Sequence, residues 1–237
     1  SGSSDSIAVT MAAVTGAADI SLAGIENISI NSLSANSIDL VATSAKSLTL
    51  TGDSAMTIGS LNTSGATKIN TVDASGSTGA VKMTTGALSG VAPSQDVTIT
   101  GGSGGDDFDV SGHSTSDLNV SGGAGNDRIT AAPAATDSLA GGDGTDTLEL
   151  TAAVAAANAN ITGFEALQLT GNISQDADNI SGNTLTSVTI AATGSAGLTD
   201  APASVSTVVL NSALVGNNTG TITLDRKTDT SEDALLL

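Results

Sequence analysis

Short runs of alternating apolar and polar residues recur along the whole chain, roughly ten residues apart, and no helix-length segment separates them. The runs are Ile7–Thr10, Ile28–Ile30, Ile38–Leu40, Leu48–Leu50, Met56–Ile58, Ile69–Val72 and Val97–Thr100. They continue at Asp107–Val110, Leu118–Val120, Asp127–Thr130, Leu148–Leu150, Leu167–Leu169, Val188–Ile190, Val208–Leu210 and Ile222–Leu224. Alternation over so few residues marks half-buried strands, and the Gly, Ser, Asn and Asp between them supply turns. Strands at this even spacing predict an all-β chain, a parallel β-solenoid (β-helix) with about two strands per coil. Ala152–Ala159 breaks the rhythm and is expected to be one short helix or a loop across the coil.

Composition agrees with a thin interior. The 237 residues include two Phe and no Trp, Tyr or Cys, while Ala, Val, Ile and Leu supply most of the apolar content. Such side chains fill an interior one or two residues wide; a thick sandwich needs larger ones. Without cysteine, an extracellular chain must gain its stability by other means than disulfides. No apolar run reaches the 18 residues of a membrane span, so direct membrane insertion is not expected. Twenty-four acidic residues against six basic ones give a net charge of −18, which repels nucleic acid and anionic membranes. That charge either keeps the chain soluble by self-repulsion or waits for a cation.

The placement of the aspartates favours the cation. Three nonapeptides fit G-G-x-G-x-D-x-U-x, with U a large apolar residue, without departure: Gly101–Asp109, Gly122–Thr130 and Gly141–Glu149. Their starts are 21 and 19 residues apart, about two nonapeptides each, so in a coil of two half-turns they stack on one edge. Degraded copies at Asp117-Leu118 and Asp137-Ser138-Leu139 then fall on the opposite edge. Glycines permit the tight turn and aim carbonyls inward, the sixth-position Asp supplies a carboxylate, and Phe108, Ile129 or Leu148 enters the core. Coils lie about 4.8 Å apart, so stacked Asp106, Asp127 and Asp146 would repel by roughly 3 kcal/mol per neighbouring pair at an effective dielectric near 20. A divalent ion between them reverses the sign, and an oxygen-only cage suits calcium over magnesium. The expected ligands are the carboxylates of Asp106, Asp127 and Asp146 with main-chain oxygens of their loops. Those are Gly101, Ser103 and Gly104 in the first, Gly122, Ala124 and Gly125 in the second, and Gly141, Asp143 and Gly144 in the third.

The nonapeptide resembles the signature of the RTX family. That resemblance implies a calcium β-roll over residues 96–150, export through a type I channel, and folding outside the cell. The flanks, 1–95 and 151–237, are read as further β-coils of one continuous solenoid. They are similar to the C-terminal region of bacterial surface-layer proteins of the Caulobacter type. The similarity rests on Gly24-Ile25-Glu26 and Gly163-Phe164-Glu165, each followed by a strand, and on Ala42–Gly52 followed by Val72–Ser75. It implies a secreted structural protein at the cell surface that self-assembles into a lattice with calcium. The alternatives are an RTX adhesin stalk or the noncatalytic secretion domain of an RTX exoprotein. Ser4–Val9 can be laid beside Ser231–Leu236, as if the segment were one unit of a longer repeating protein.

Other polar residues have more ordinary readings. Glu26 and Glu165 are either further calcium ligands or acceptors for backbone amides at a coil corner. Asp107, Asp109 and Asp143 either supplement the column or face solvent, and Asp53, Asp73 and Asp96 are expected in turns. His113, the single histidine, has no cysteine and no defined nucleophile near it; it reads as a solvated loop residue. No catalytic constellation is present in the sequence, so the chain is not expected to be an enzyme.

Overall fold

The computed structural model describes residues 2, 4–16, 18–61, 69–85, 96–113, 116–156, 158, 160–211 and 220–227. Among these the chain winds as a parallel β-solenoid of about nine turns. One sheet contains β1 (Ser6–Met11), β3 (Asn27–Ser32), β5 (Ser47–Gly52), β7 (Thr71–Ser77), β9 (Val97–Thr100), β11 (Leu118–Ala124), β13 (Ser138–Asp143) and β15 (Ile161–Thr162), in that spatial order. A second sheet takes the alternate strands. They are β2 (Ala18–Ser21), β4 (Asn36–Val41), β6 (Met56–Leu61), β8 (Val81–Thr84), β10 (Asp107–Asp109), β12 (Arg128–Ala131), β14 (Thr147–Leu150), β16 (Ala166–Thr170), β18 (Ser187–Ala191) and β20 (Thr207–Leu210). Each strand therefore pairs with the strand two places along the chain, as a two-strand coil requires.

The period-two pattern decides which side chains enter the interior. In the first sheet Ile7, Ile28, Leu48, Val72, Ile99, Val120, Leu139 and Ile161 form one register column. Facing it, Ile38, Ile58, Met83, Phe108, Ile129, Leu148, Leu167, Val188 and Val208 form another. Most are fully buried, as are both phenylalanines, Phe108 and Phe164. Burying each such side chain contributes about 1.5–3 kcal/mol. A slip of one residue would turn a strand's apolar set outward, so the columns fix the register.

Beyond β15 the coil changes shape. A third sheet forms from β17 (Ser174–Asp176), β19 (Ala196–Ala201) and β21 (Ile222–Arg226). A short 3-10 turn at Ala177–Ile180 follows β17 and buries Ala177 and Ile180. The Ala-rich stretch from Ala152 shows no helix among its described residues; it crosses as a loop, with Val154 buried. Its amide is held by the side chain of Gln175, an anchor that a free helix of alanines would lack. The second copy of the terminal echo, Ser231–Leu236, lies outside the described residues. No helix among the described residues is long and apolar enough to cross a membrane.

The facing columns make position, more than residue type, the determinant of stability. Phe108→Ala, in the middle of its column, should cost about 3–5 kcal/mol. Leu33→Ala, at a side chain 56% exposed, should stay within about 0.5 kcal/mol. Urea unfolding of the two variants checks the difference.

Candidate cation-binding corner

One corner of the coil, just ahead of the second-sheet strands, brings the three motif aspartates together. Asp106, Asp127 and Asp146 precede β10, β12 and β14, whose first residues pair in register as Asp107, Arg128 and Thr147. All three aspartates are buried. Each carboxylate reaches back one coil to a main-chain amide. Asp106 Oδ1 accepts from Val81 N at 2.7 Å, Asp127 Oδ1 from Asp106 N at 2.7 Å, and Asp146 Oδ1 from Asp127 N at 2.8 Å. The column expected from the motif spacing is therefore present as a carboxylate–amide ladder.

The second oxygens differ. Asp106 Oδ2 accepts from Gly102 N at 2.8 Å, but Asp127 Oδ2 and Asp146 Oδ2 are buried without a hydrogen-bond partner. A lone pair left so inside a protein costs about 1–3 kcal/mol. The first loop is thus not equivalent to the other two. It rests on the Ser77–Ala80 turn, with Ser103 N donating to Ser77 O, and its carboxylate closes on its own loop. Gly123 and Gly142, in the second and third loops, adopt φ of +104° and +119°, which a side chain would resist.

Each free oxygen and a carbonyl of the next coil border the same glycine. A methyl group on Gly122 would stand 2.4 Å from Asp127 Oδ2 and 2.4 Å from Gly141 O. On Gly141 it would stand 2.6 Å from Asp146 Oδ2 and 2.0 Å from Gly163 O. The absence of a side chain at these glycines leaves a carboxylate and a carbonyl oxygen bordering the space a Cβ would fill. Such a set fits a hard cation bound through oxygen. Among the described residues no group of three or more His, Cys, Asp or Glu side chains converges, so main-chain oxygens would have to supply much of any cage. Of the remaining expected ligands, Asp143 O already accepts from Gly125 N, whereas Gly101 lies where Asp106 Oδ2 and Gly122 O meet.

Burial raises the proton affinity of the whole ladder. It pushes Asp127 up to about 6, with the charges of Asp106 and Asp146 adding to the rise. Asp106 is raised by burial against the two amides it accepts from, and Asp146 by burial together with Glu165 and Asp143.

Glu165 extends the ladder by one coil: its Oε2 accepts from Asp146 N at 2.9 Å. Glu26 does the same at Asp5 N, at 2.8 Å, ahead of β3 in the other sheet. Both Gly-[Ile/Phe]-Glu elements thus hold a backbone amide at a coil corner. The degraded motif copies do lie on the opposite edge. There Asp137 accepts from Leu118 N and Ala134 N, one amide on each oxygen, so both its oxygens are engaged.

Several ordinary readings also find their places. Asp53 accepts from Ser54 in the turn after β5, Asp109 ends β10 and accepts from Ser111, and Asp107 pairs with Lys82 on the outer face. Asp73, expected in a turn, lies instead within β7 and accepts from Ser75. His113 corrects its sequence reading: it is buried at 7% exposure. The turn that brings His113 N to Val110 O carries the ring inward, where Nε2 meets Ser116 O at 2.9 Å. The sequence reading did not single out Glu149, buried on the outer face of β14 between Arg128, Thr130 and Thr170. Alternation from Leu148 places it outward, and nothing local signals its cover.

The raised aspartate gives a signed pH dependence. A carboxyl whose folded pKa exceeds the unfolded value of about 3.9 contributes stability at low pH that is lost as pH rises through the folded value. Calcium-stripped protein should therefore melt several degrees higher at pH 5 than at pH 7, and saturating calcium should abolish that gain. Thermal unfolding at the two pH values checks it.

Compared with protein-family models, curated proteins and solved structures, the chain matches none, so any functional reading rests on the sequence and on this corner.

Proposed function

We propose that this chain is a calcium-dependent structural protein of a bacterial surface layer, folding and assembling outside the cell. The observation that carries the calcium part is the pair of buried, partnerless oxygens on Asp127 and Asp146, which border the same glycines as carbonyls of the next coil. Calcium would be held there by Asp127 and Asp146 with Gly141 and Gly163 carbonyls, and by further main-chain oxygens of the loops. Bound, it supplies positive charge between stacked acids and so welds neighbouring coils. The structural part is supported by the RTX-type nonapeptides, the surface-layer resemblance of the flanks, and the solenoid itself, whose two long sheets can carry load over a distance. No catalytic role is proposed.

An affinity on the order of 10⁻⁴–10⁻³ M, usual for extracellular calcium modules, would leave the chain open inside a cell and ordered outside it. At −18, calcium-free chains repel one another; neutralising the corner removes part of that barrier to assembly.

Two measurements test the reading. In calorimetric titration, Asp127→Ala and Asp146→Ala should each weaken calcium binding by about tenfold or more, about 1.4 kcal/mol. Asp106→Ala should weaken it less, because its second oxygen is already engaged; equal losses at all three would contradict the assignment. For assembly, negative-stain microscopy should show sheets or filaments above millimolar calcium and none in chelator. Protein that folds with calcium yet stays monomeric at high concentration would favour a stalk or secretion domain.

A further inference from the structure

The corner that holds Asp127 is filled differently elsewhere in this chain. Asn36 begins β4 and heads the same column: it pairs with Met56, Met56 pairs with Val81, and the Val81 amide is held by Asp106. Asn36 is buried and works in both directions. Its Oδ1 accepts from Val14 N at 2.8 Å, while Nδ2 donates to Ser32 Oγ at 2.8 Å, to Ser34 O and to Met11 O at 3.4 Å. The amide thus grips the preceding coil and also donates to the Ser34 carbonyl and the Ser32 hydroxyl of its own turn.

Two-sided amides also occur after the glycine loops, at other positions of the coil. Gln175 Oε1 accepts from Val154 N at 2.8 Å and Nε2 donates to Asp176 O at 2.7 Å. Asn183 Oδ1 accepts from Phe164 N at 3.0 Å, and its Nδ2 donates to Ile161 O at 3.0 Å and Ile180 O at 2.8 Å. Between these flanks, Asp127 and Asp146 keep the accepting half through Oδ1 and lack the donating half. Asn36 has an NH₂ serving its own turn and the preceding coil, whereas Asp127 and Asp146 have a second oxygen without a partner.

We infer that Asp127 and Asp146 occupy a corner slot that a neutral amide fills at Asn36, so that the glycine coils close only with a cation while the amide-stapled coil closes without one. The inference rests on the calcium reading for what the cation is, but the slot itself is a matter of donors and acceptors. A carboxylate can accept and cannot donate; a cation or an NH₂ group can each face a carbonyl. Substituting one for the other exchanges a conditional staple for a permanent one. Calcium control is thereby set against an amide-stapled coil on the N-terminal side that can stay closed without the ion.

The test compares wild type, Asp127→Asn and Asp127→Ala by thermal unfolding at pH 7.5, first in calcium-stripped buffer and then with calcium added. In stripped buffer Asp127→Asn should melt above both wild type and Asp127→Ala, because it restores the donor and keeps the acceptor for Asp106 N. Added calcium should raise its melting temperature less than that of wild type. Asn36→Asp is the reciprocal variant and should melt below wild type in stripped buffer. The inference is overturned if Asp127→Asn melts at or below wild type there, fails to fold, or matches Asp127→Ala, or if Asn36→Asp leaves melting unchanged. If wild type does not respond to calcium at all, the calcium reading fails separately, and the ranking in stripped buffer still decides the slot.

Discussion

Everything in this solenoid depends on how a coil turns its corner while remaining hydrogen-bonded to the coil before it. Along the straight segments the parallel ladders satisfy the backbone without help from side chains. At the corner the strand has not yet begun, and each amide there needs an acceptor brought from the next coil. The chain supplies one repeatedly: Asn36 for Val14, Asp106 for Val81, Asp127 for Asp106, Asp146 for Asp127 and Glu165 for Asp146. These bonds set the height of each coil on its neighbour, and the apolar columns then pack in register. Phe108 can lie between Met83 and Ile129 because Asp106 and Asp127 have fixed the corners just ahead of them.

Using aspartate for that purpose has an electrostatic consequence. Stacked carboxylates in a buried corner repel, and burial, together with the charges of Asp106 and Asp146, pushes Asp127 up to about 6. An acid chosen only to accept an amide is a poor choice when asparagine accepts equally well and also donates. Retaining aspartate makes physical sense where something else supplies the positive partner. The glycines on the same loops point the same way: at Gly122 and Gly141 a side chain would fill the space where the carboxylate and carbonyl oxygens meet. Acid and glycine together describe a corner left for a cation.

Much of this was legible in the chain because the solenoid writes its repeat into short, local patterns. Every run from Ile7–Thr10 to Ile222–Leu224 falls on or beside a strand, since a half-buried strand must alternate. The strands that were not anticipated, such as Ala18–Ser21, Ser174–Asp176 and Ala196–Ala201, carry at most one large apolar residue each, Ile20 in the first and Leu198 in the third, and neighbours define them more than their own sequence does. The motif column was readable from its 21- and 19-residue spacing. The inequivalence of Asp106 was not, because it depends on the Ser77–Ala80 turn beneath it. Asn36 was missed for a related reason. Its coil contains no glycine motif, and Ser32-Leu33-Ser34-Ala35-Asn36 becomes comparable with Gly102–Asp106 only once the register aligns them. The burial of His113 likewise depends on a turn that its own serine-rich surroundings do not announce.

The central claim is that corner chemistry divides one continuous solenoid into coils that need a cation and coils that do not. Amide hydrogen exchange, read on peptides covering residues 27–61 and 97–150, tests it most directly. With calcium, protection should be high in both segments; in stripped buffer it should fall across 97–150 and persist across 27–61. Equal protection of the two segments under both conditions, or their joint collapse without calcium, would contradict the account.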